Sequence, residues 1–126
     1  MTQRLEGERV LMRIFLGESD RCADGEQRGK PLYEALLAML RERGFAGATV
    51  LRGIAGFGAT AKVHTDRILR LSMDLPIVLE VVETEEKIEA IRPELDRMIG
   101  GGLITLERVR VILYRPQGDG DADAAV

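Results

Sequence analysis

Apolar and polar positions first alternate at 9–16, RVLMRIFL. Val10, Met12, Ile14 and Leu16 share one face there, and Leu11, Arg13 and Phe15 the other, the period-two signature of a strand. The stretch GESDRCADGEQRGK that follows has the glycines and short polar residues of a loop. Pro31 suits the first turn of a helix, where a missing N–H costs no hydrogen bond. Leu32, Leu36, Met39 and Leu40 then recur at helical spacing, with Arg41 and Arg43 at the negative end and Gly44 as the stop. A second strand is predicted at 48–51, running into the glycine-rich segment Arg52-Gly53-Ile54-Ala55-Gly56-Phe57-Gly58. Residues 59–70 have no period and read as a long exposed loop. A third strand is predicted at 77–82. Thr84 then caps a second helix with Glu85 and Glu86 in its first turn and Ile88, Ile91, Leu95 and Met98 along one face. Pro93 removes the bond to the carbonyl of Glu89, so a kink or break is expected there. Gly100, Gly101 and Gly102 end the helix. The last strand is read from Val109, Val111 and Leu113 alternating against Arg110, Ile112 and Tyr114.

The order βαββαβ is the α+β, ferredoxin-like arrangement: a four-stranded antiparallel sheet with two helices on one face. The domain is placed at 9–115, with 1–8 as an N-terminal extension and 116–126 as an acidic, disordered tail. Two helices cover one face only. Yet the third strand is apolar on both sides, with Ile77, Leu79 and Val81 on one and Val78 and Val82 beside Glu80 on the other. Leu11 and Phe15 likewise lie opposite the first strand's core face. A monomer would leave a contiguous apolar patch in water, so burial against copies of the chain is expected.

Composition narrows the chemistry. The chain has 126 residues, 45% hydrophobic and 31% charged, which fits one folded domain. Eighteen Lys and Arg oppose twenty-one Asp and Glu. The three excess negatives match Asp119, Asp121 and Asp123 of the tail, leaving 1–115 neutral and without the basic footprint of a nucleic-acid partner. No apolar run reaches the roughly 20 residues of a membrane span, so membrane insertion is not expected. MTQRLEGERV lacks a signal peptide's hydrophobic stretch, and the expected address is cytoplasmic.

Catalytic groups are sparse. His64 is the single histidine and sits in a polar stretch, where such a side chain is more often solvated than catalytic. Cys22 is the single cysteine, which excludes an internal disulfide or a CxxC centre, and it has no evident histidine partner. No cluster of metal ligands is visible, so no metal site is expected. Glu18 and Asp20 form either a paired-carboxylate site or a solvated loop. Two glycine clusters remain, at 53–58 and 100–102, in which bare N–H groups can cradle an anion. Neither follows the phosphate-loop or dinucleotide-binding spacing, and spacing alone reads them as a strand end and a helix stop. Lys62, Arg67 and Arg70 against Asp66 make the segment between the second and third strands mildly basic.

Taken together, the strings GESD, PLYEALL, GFAGATVLRGIAGFG, DLPIVLEVVE and GGGLITLERV make the chain resemble the P-II nitrogen-regulatory superfamily over residues 9–115. The likeness is closer still to an uncharacterised P-II-like family within it. The resemblance implies a homotrimeric, non-catalytic signalling protein. Such a protein binds an adenine nucleotide in clefts between subunits and acts on a partner (a transporter, channel or enzyme) through a loop, here 59–70. It sets Thr49 near the adenine, Gly56, Phe57 and Gly58 at the base of the signalling loop, Gly100, Gly101 and Gly102 facing phosphates, and Arg115 as a phosphate-binding arginine. Leu103 and Leu113 stand where the superfamily places a lysine and an arginine. Each charge-assisted contact is worth about 1.5–3 kcal/mol, so AMP or ADP is expected over ATP, as an effector rather than an obligatory cofactor. Glu18 and Asp20 either contact ribose hydroxyls, bind a counterion, or cap the neighbouring helix. Two alternatives remain: a ferredoxin-like enzyme acting on a phosphorylated or nucleotide substrate with Glu18 or Asp20 as base, and a structural interaction module.

Overall fold

The alternating rows of the first strand determine the layers. In the computed structural model, which describes residues 5–58 and 74–116, β1 spans Gly7–Gly17 and every second residue from Val10 to Leu16 is buried. After it come α1 (Leu32–Glu42), β2 (Thr49–Arg52), β3 (Pro76–Glu83), α2 (Glu85–Met98) and β4 (Leu103–Val111). The strands form one sheet in the order β2-β3-β1-β4, each neighbouring pair antiparallel. This is the expected α+β architecture.

The core lies between the sheet and the helices. Met12, Ile14 and Leu16 of β1 and Ile77, Leu79 and Val81 of β3 meet Leu32, Leu36, Met39 and Leu40 of α1 and Ile88, Ile91, Leu95 and Met98 of α2. Full burial of each such side chain stabilises by about 1.5–3 kcal/mol. Gly44, with φ +79, terminates α1 as expected, its N–H reaching the Arg41 carbonyl. The Thr84 hydroxyl caps α2 by accepting from the Lys87 N–H at 3.3 Å.

Three details differ from the sequence reading. α2 runs unbroken through Pro93. Pro93 is solvent-exposed, so one ladder bond is lost while the buried face on either side, Ile91 and Leu95, stays seated in the core. β4 begins at Leu103, directly after the glycines, and ends at Val111, so Leu113 and Tyr114 lie beyond it. β1 starts two residues earlier than expected, at Gly7. The expected loop at 59–70 lies outside the described residues, as does the tail from 117 on.

The helices leave two surfaces uncovered. Ile104 and Leu106 occupy core-side register positions opposite Ile14 and Met12, yet are 39% and 50% exposed, because the helix layer stops short of β4. The far face of the sheet carries Leu11, Phe15, Val78, Val82, Leu51 and Leu103. Phe15 lies between Val78 and Leu103, and Val78 is next to Leu51. At the centre of this open face Arg13 Nε donates to Glu80 at 2.9 Å and its Nη1 to Glu107 at 3.0 Å. The Glu80 bond foremost, with Glu107 adding to it, raises the Arg13 pKa above its ordinary value.

Candidate functional site

The turn after β1 gathers one end of the sheet. The Gly17 N–H donates to Asp20 Oδ2 at 2.9 Å and the Asp20 N–H returns to the Gly17 carbonyl at 3.1 Å. The Asp20 carbonyl accepts from the Leu32 N–H at 2.8 Å, satisfying the first helical amide of α1, where Pro31 offers no side-chain cap. The Glu18 N–H donates to the Leu75 carbonyl at 2.8 Å, and the Ser19 N–H to Asp74 Oδ1 at 3.1 Å. The turn is thereby tied both to the start of α1 and to the approach to β3.

The glycine-rich segment starts at the same place. Arg52 ends β2 and pairs with Glu18 at 2.5 Å, and the next N–H, that of Gly53, donates to the Pro76 carbonyl at 2.8 Å. A Cβ at Gly53 would stand 2.8 Å from Pro76 Cγ, and one at Gly56 3.2 Å from the same atom. Gly56 also holds φ +152. Glycine lets this backbone lie against the proline ring. Beyond it Ile54 and Phe57 project into solvent, 87% and 73% exposed.

The second glycine turn is at this end too, on the other edge. The Ile99 N–H closes α2 on the Leu95 carbonyl, and the Met98 carbonyl accepts from Ala23 in the loop after β1. Gly102 has φ +152, and a Cβ on it would come within 2.8 Å of the Phe15 carbonyl. The turn therefore packs against β1 as it enters β4.

The sequence-predicted residues thus fall into three places. Glu18, Asp20, Gly56, Phe57 and Gly58 belong to the β1–β2–β3 end, and Gly100, Gly101 and Gly102 to the same end at the β4 edge. Two strands intervene, a separation of roughly 14 Å for three strand spacings. Thr49 stands on the open face of β2 opposite Glu80. Arg115 follows Val111, whose partner is Gly7, so it lies beyond the opposite end of the sheet. Within one chain these residues do not enclose a common pocket. Two clefts, of about 210 and 320 Å³, open on the helix side, around Met39, Glu94 and Met98 and around Phe45, Lys87 and Pro93. Neither is lined by any of the predicted residues.

Three side chains that sequence reasoning passed over organise the region. Glu83 is fully buried: Oε2 accepts from the Ala46 N–H and Oε1 from the Thr84 N–H, both at 2.9 Å, with Lys87 Nζ at 3.7 Å. It anchors the chain three residues before Thr49. The signal was available, since the period-two row Ile77, Leu79, Val81 continues to 83. Arg13 and Arg52 find carboxylates 67 and 34 positions away, which no local pattern reveals.

Metal and membrane features are limited in the same terms. Among the described residues no group of three or more His, Cys, Asp or Glu side chains is arranged to hold a metal, and no helix is long and apolar enough to cross a membrane. Cys22 is buried, its thiol donating to the Asp24 carbonyl at 3.2 Å. His64 lies outside the described residues.

Comparison with known proteins agrees with this fold and names no activity. Residues 9–111 match the family DUF190, described as Uncharacterized ACR. A UPF0166 protein of Aquifex aeolicus is 42% identical over 105 residues, 83% of this chain and 94% of its own length. A second UPF0166 protein of that organism is 38% identical over 102 residues, 81% and 95% of the two chains. A UPF0166 protein of Methanocaldococcus jannaschii is 35% identical over 97 residues, 76% and 84%.

Proposed function

The chain belongs to the DUF190 family, and from that premise we propose that it is a non-catalytic, homotrimeric signal-transduction protein of the P-II-like kind. It binds a small anionic effector, an adenine nucleotide with AMP or ADP favoured over ATP, in clefts between subunits. Binding biases segment 59–70, which acts on a cytoplasmic enzyme or on a transporter or channel. The observation that carries this reading is the position of the glycine turns: both at one end of the sheet, each on the edge strand it adjoins. A copy whose β4 edge lies beside the β2 edge of its neighbour brings the two turns face to face. The turns' amides, that of Gly53 apart because it is bonded to the Pro76 carbonyl, then line one cleft, the arrangement that suits phosphate oxygens. The uncovered sheet face supplies the apolar surface for that association. The effector controls the segment by binding one of its conformations more tightly than another, shifting their populations by that difference.

Two measurements on the full chain test this. Light scattering is expected to give the mass of a trimer, and titration calorimetry with AMP, ADP and ATP is expected to give heat with the first two at micromolar to millimolar concentration. A monomer, or no response to any of the three at millimolar concentration, overturns the reading.

A further inference from the structure

The end of β2 carries an unusual combination. Arg52 is well exposed, and within five positions of it stand two large apolar side chains almost wholly in water, Ile54 and Phe57. Such residues projecting singly from a loop call for no explanation, but here they follow a cation along the chain, on a backbone that two glycines let lie against Pro76. An exposed guanidinium and an exposed aromatic residue on one short stretch of chain are the two kinds of group that would hold a ligand with a planar ring and an anion.

The guanidinium is already occupied. Among the described residues its partner is Glu18, whose side chain is only 23% exposed and whose backbone is fixed by the Leu75 carbonyl. The other carboxylates nearby have different partners: Asp20 accepts from the Gly17 N–H and Asp74 from the Ser19 N–H. Glu18 is therefore the carboxylate of the turn that meets a side-chain cation. A carboxylate on an arginine fork is the intramolecular equivalent of a bound phosphate or carboxylate.

We infer that Arg52 is the anion-recognising side chain of the site and that Glu18 is its built-in competitor, which an incoming phosphate must displace. The inference rests on the anionic-effector reading above and adds to it a residue and a direction. It assigns Glu18 a role opposite to ligand contact: the carboxylate weakens binding and sets the effector concentration at which the site fills. Exposed ion pairs are worth at most about 1 kcal/mol, which converts to a factor of about five in affinity. When Glu18 leaves, the tie between the turn and the end of β2 is broken at its side-chain contact. The ligand thereby acts on the end of β2 and on the glycine-rich stretch 53–58 that follows it.

The test uses ADP as probe, with adenosine as the phosphate-free control, on the full chain and the variants Glu18→Gln, Arg52→Gln and Arg52→Lys. Circular dichroism verifies that each is folded. Glu18→Gln is expected to bind ADP about three- to fivefold more tightly than the parent chain, a gain within the range of exposed pairs. Arg52→Gln is expected to bind about tenfold or more weakly, Arg52→Lys in between, and a chain carrying both Glu18→Gln and Arg52→Gln like Arg52→Gln alone. Adenosine affinity is expected to be the same in all. Weaker ADP binding by Glu18→Gln makes Glu18 a ligand contact and overturns the inference, as does undiminished binding by Arg52→Gln. In both cases the nucleotide reading survives. If neither the parent chain nor Glu18→Gln binds ADP, the inference falls, and the effector reading falls with it when AMP and ATP give no response either.

Discussion

Replacing Glu83 by glutamine tests how the start of β2 is held. The side chain is the one charged group with no exposure among the described residues, and each of its oxygens accepts from a different main-chain N–H, Ala46 on one side and Thr84 on the other. Glutamine keeps one acceptor and turns an NH2 group toward the remaining N–H, so donor faces donor. The change removes one hydrogen bond to a carboxylate, about 1.5–3 kcal/mol, and leaves a buried N–H without a partner, about 1–3 kcal/mol. Lys87 also loses the negative charge at 3.7 Å, although its bond to the Gly44 carbonyl at 2.7 Å survives. These terms overlap, and a net destabilisation of about 2–4 kcal/mol is expected for Glu83→Gln. Urea unfolding followed by circular dichroism, at one fixed protein concentration so that the proposed association contributes equally to every variant, reads this as a fall in midpoint. Amide exchange at Ala46 is expected to accelerate in parallel. A loss under about 0.5 kcal/mol, within the range of ordinary surface changes, would refute the reasoning.

Other substitutions probe the remaining features. Gly102→Ala sets a Cβ 2.8 Å from the Phe15 carbonyl at φ +152, and a cost of about 1–3 kcal/mol is expected in thermal unfolding, an unchanged melting temperature being the contrary result. Pro93→Ala restores a ladder bond to the Glu89 carbonyl inside α2 and removes a steric conflict. Stabilisation by about 1 kcal/mol or more is expected, and any loss would show that the ring packs favourably where it stands. Phe15→Glu puts a charge at the centre of the apolar end of the open face, between Val78 and Leu103. Light scattering is expected to show dissociation to monomer with the circular dichroism spectrum preserved; an unchanged mass would remove the open face from the association.

The elements that bury one face were legible in the sequence because burial imposes a period. β1, α1, β3 and α2 each carry a row of residues that the core fully covers, and the spacing of that row is what pattern reading detects. β4 escaped for the converse reason. The helices do not reach it, so Leu103 and Ile104 stand side by side on opposite faces, both exposed, and the alternation that marks a half-buried strand is absent at its start. Extrapolating from the cleaner alternation downstream shifted the strand toward Leu113. Proline in α2 misled in a similar way. A rule about one lost hydrogen bond gave a kink or break, and the break is absent because four buried side chains on one helical face outweigh it. The site was legible only as a list of parts. That glycines cluster at 53–58 and 100–102 is visible in the letters, but the pairing of Arg52 with Glu18 and of Glu83 with Ala46 depends on which strands become neighbours.

Under the proposed function, the same topology ties assembly to ligand capture. β1 and β3 occupy the centre of the sheet, so β2 and β4 become its edges. β2 exits and β4 enters at the end where β1 finishes, which sets each glycine turn at the same end and on an edge strand of the described sheet. Among the described residues nothing closes the roughly 14 Å between them, since two paired strands fill the interval. The apolar residues flanking the turns point to what does. Leu51 precedes Arg52 and Gly53 on one edge, Leu103 follows Gly102 on the other, and both face the open side about half exposed. A seam that buries these two leucines against each other draws the turns together by the same movement. Removal of apolar surface from water supplies the driving force, about 25 cal/mol per Å². An effector held between the turns then binds the assembled form and not the separated chains, so it stabilises the assembly as its concentration rises above its dissociation constant. Under that proposal the oligomer is a part of the binding site, and a variant that cannot associate is expected to bind no effector.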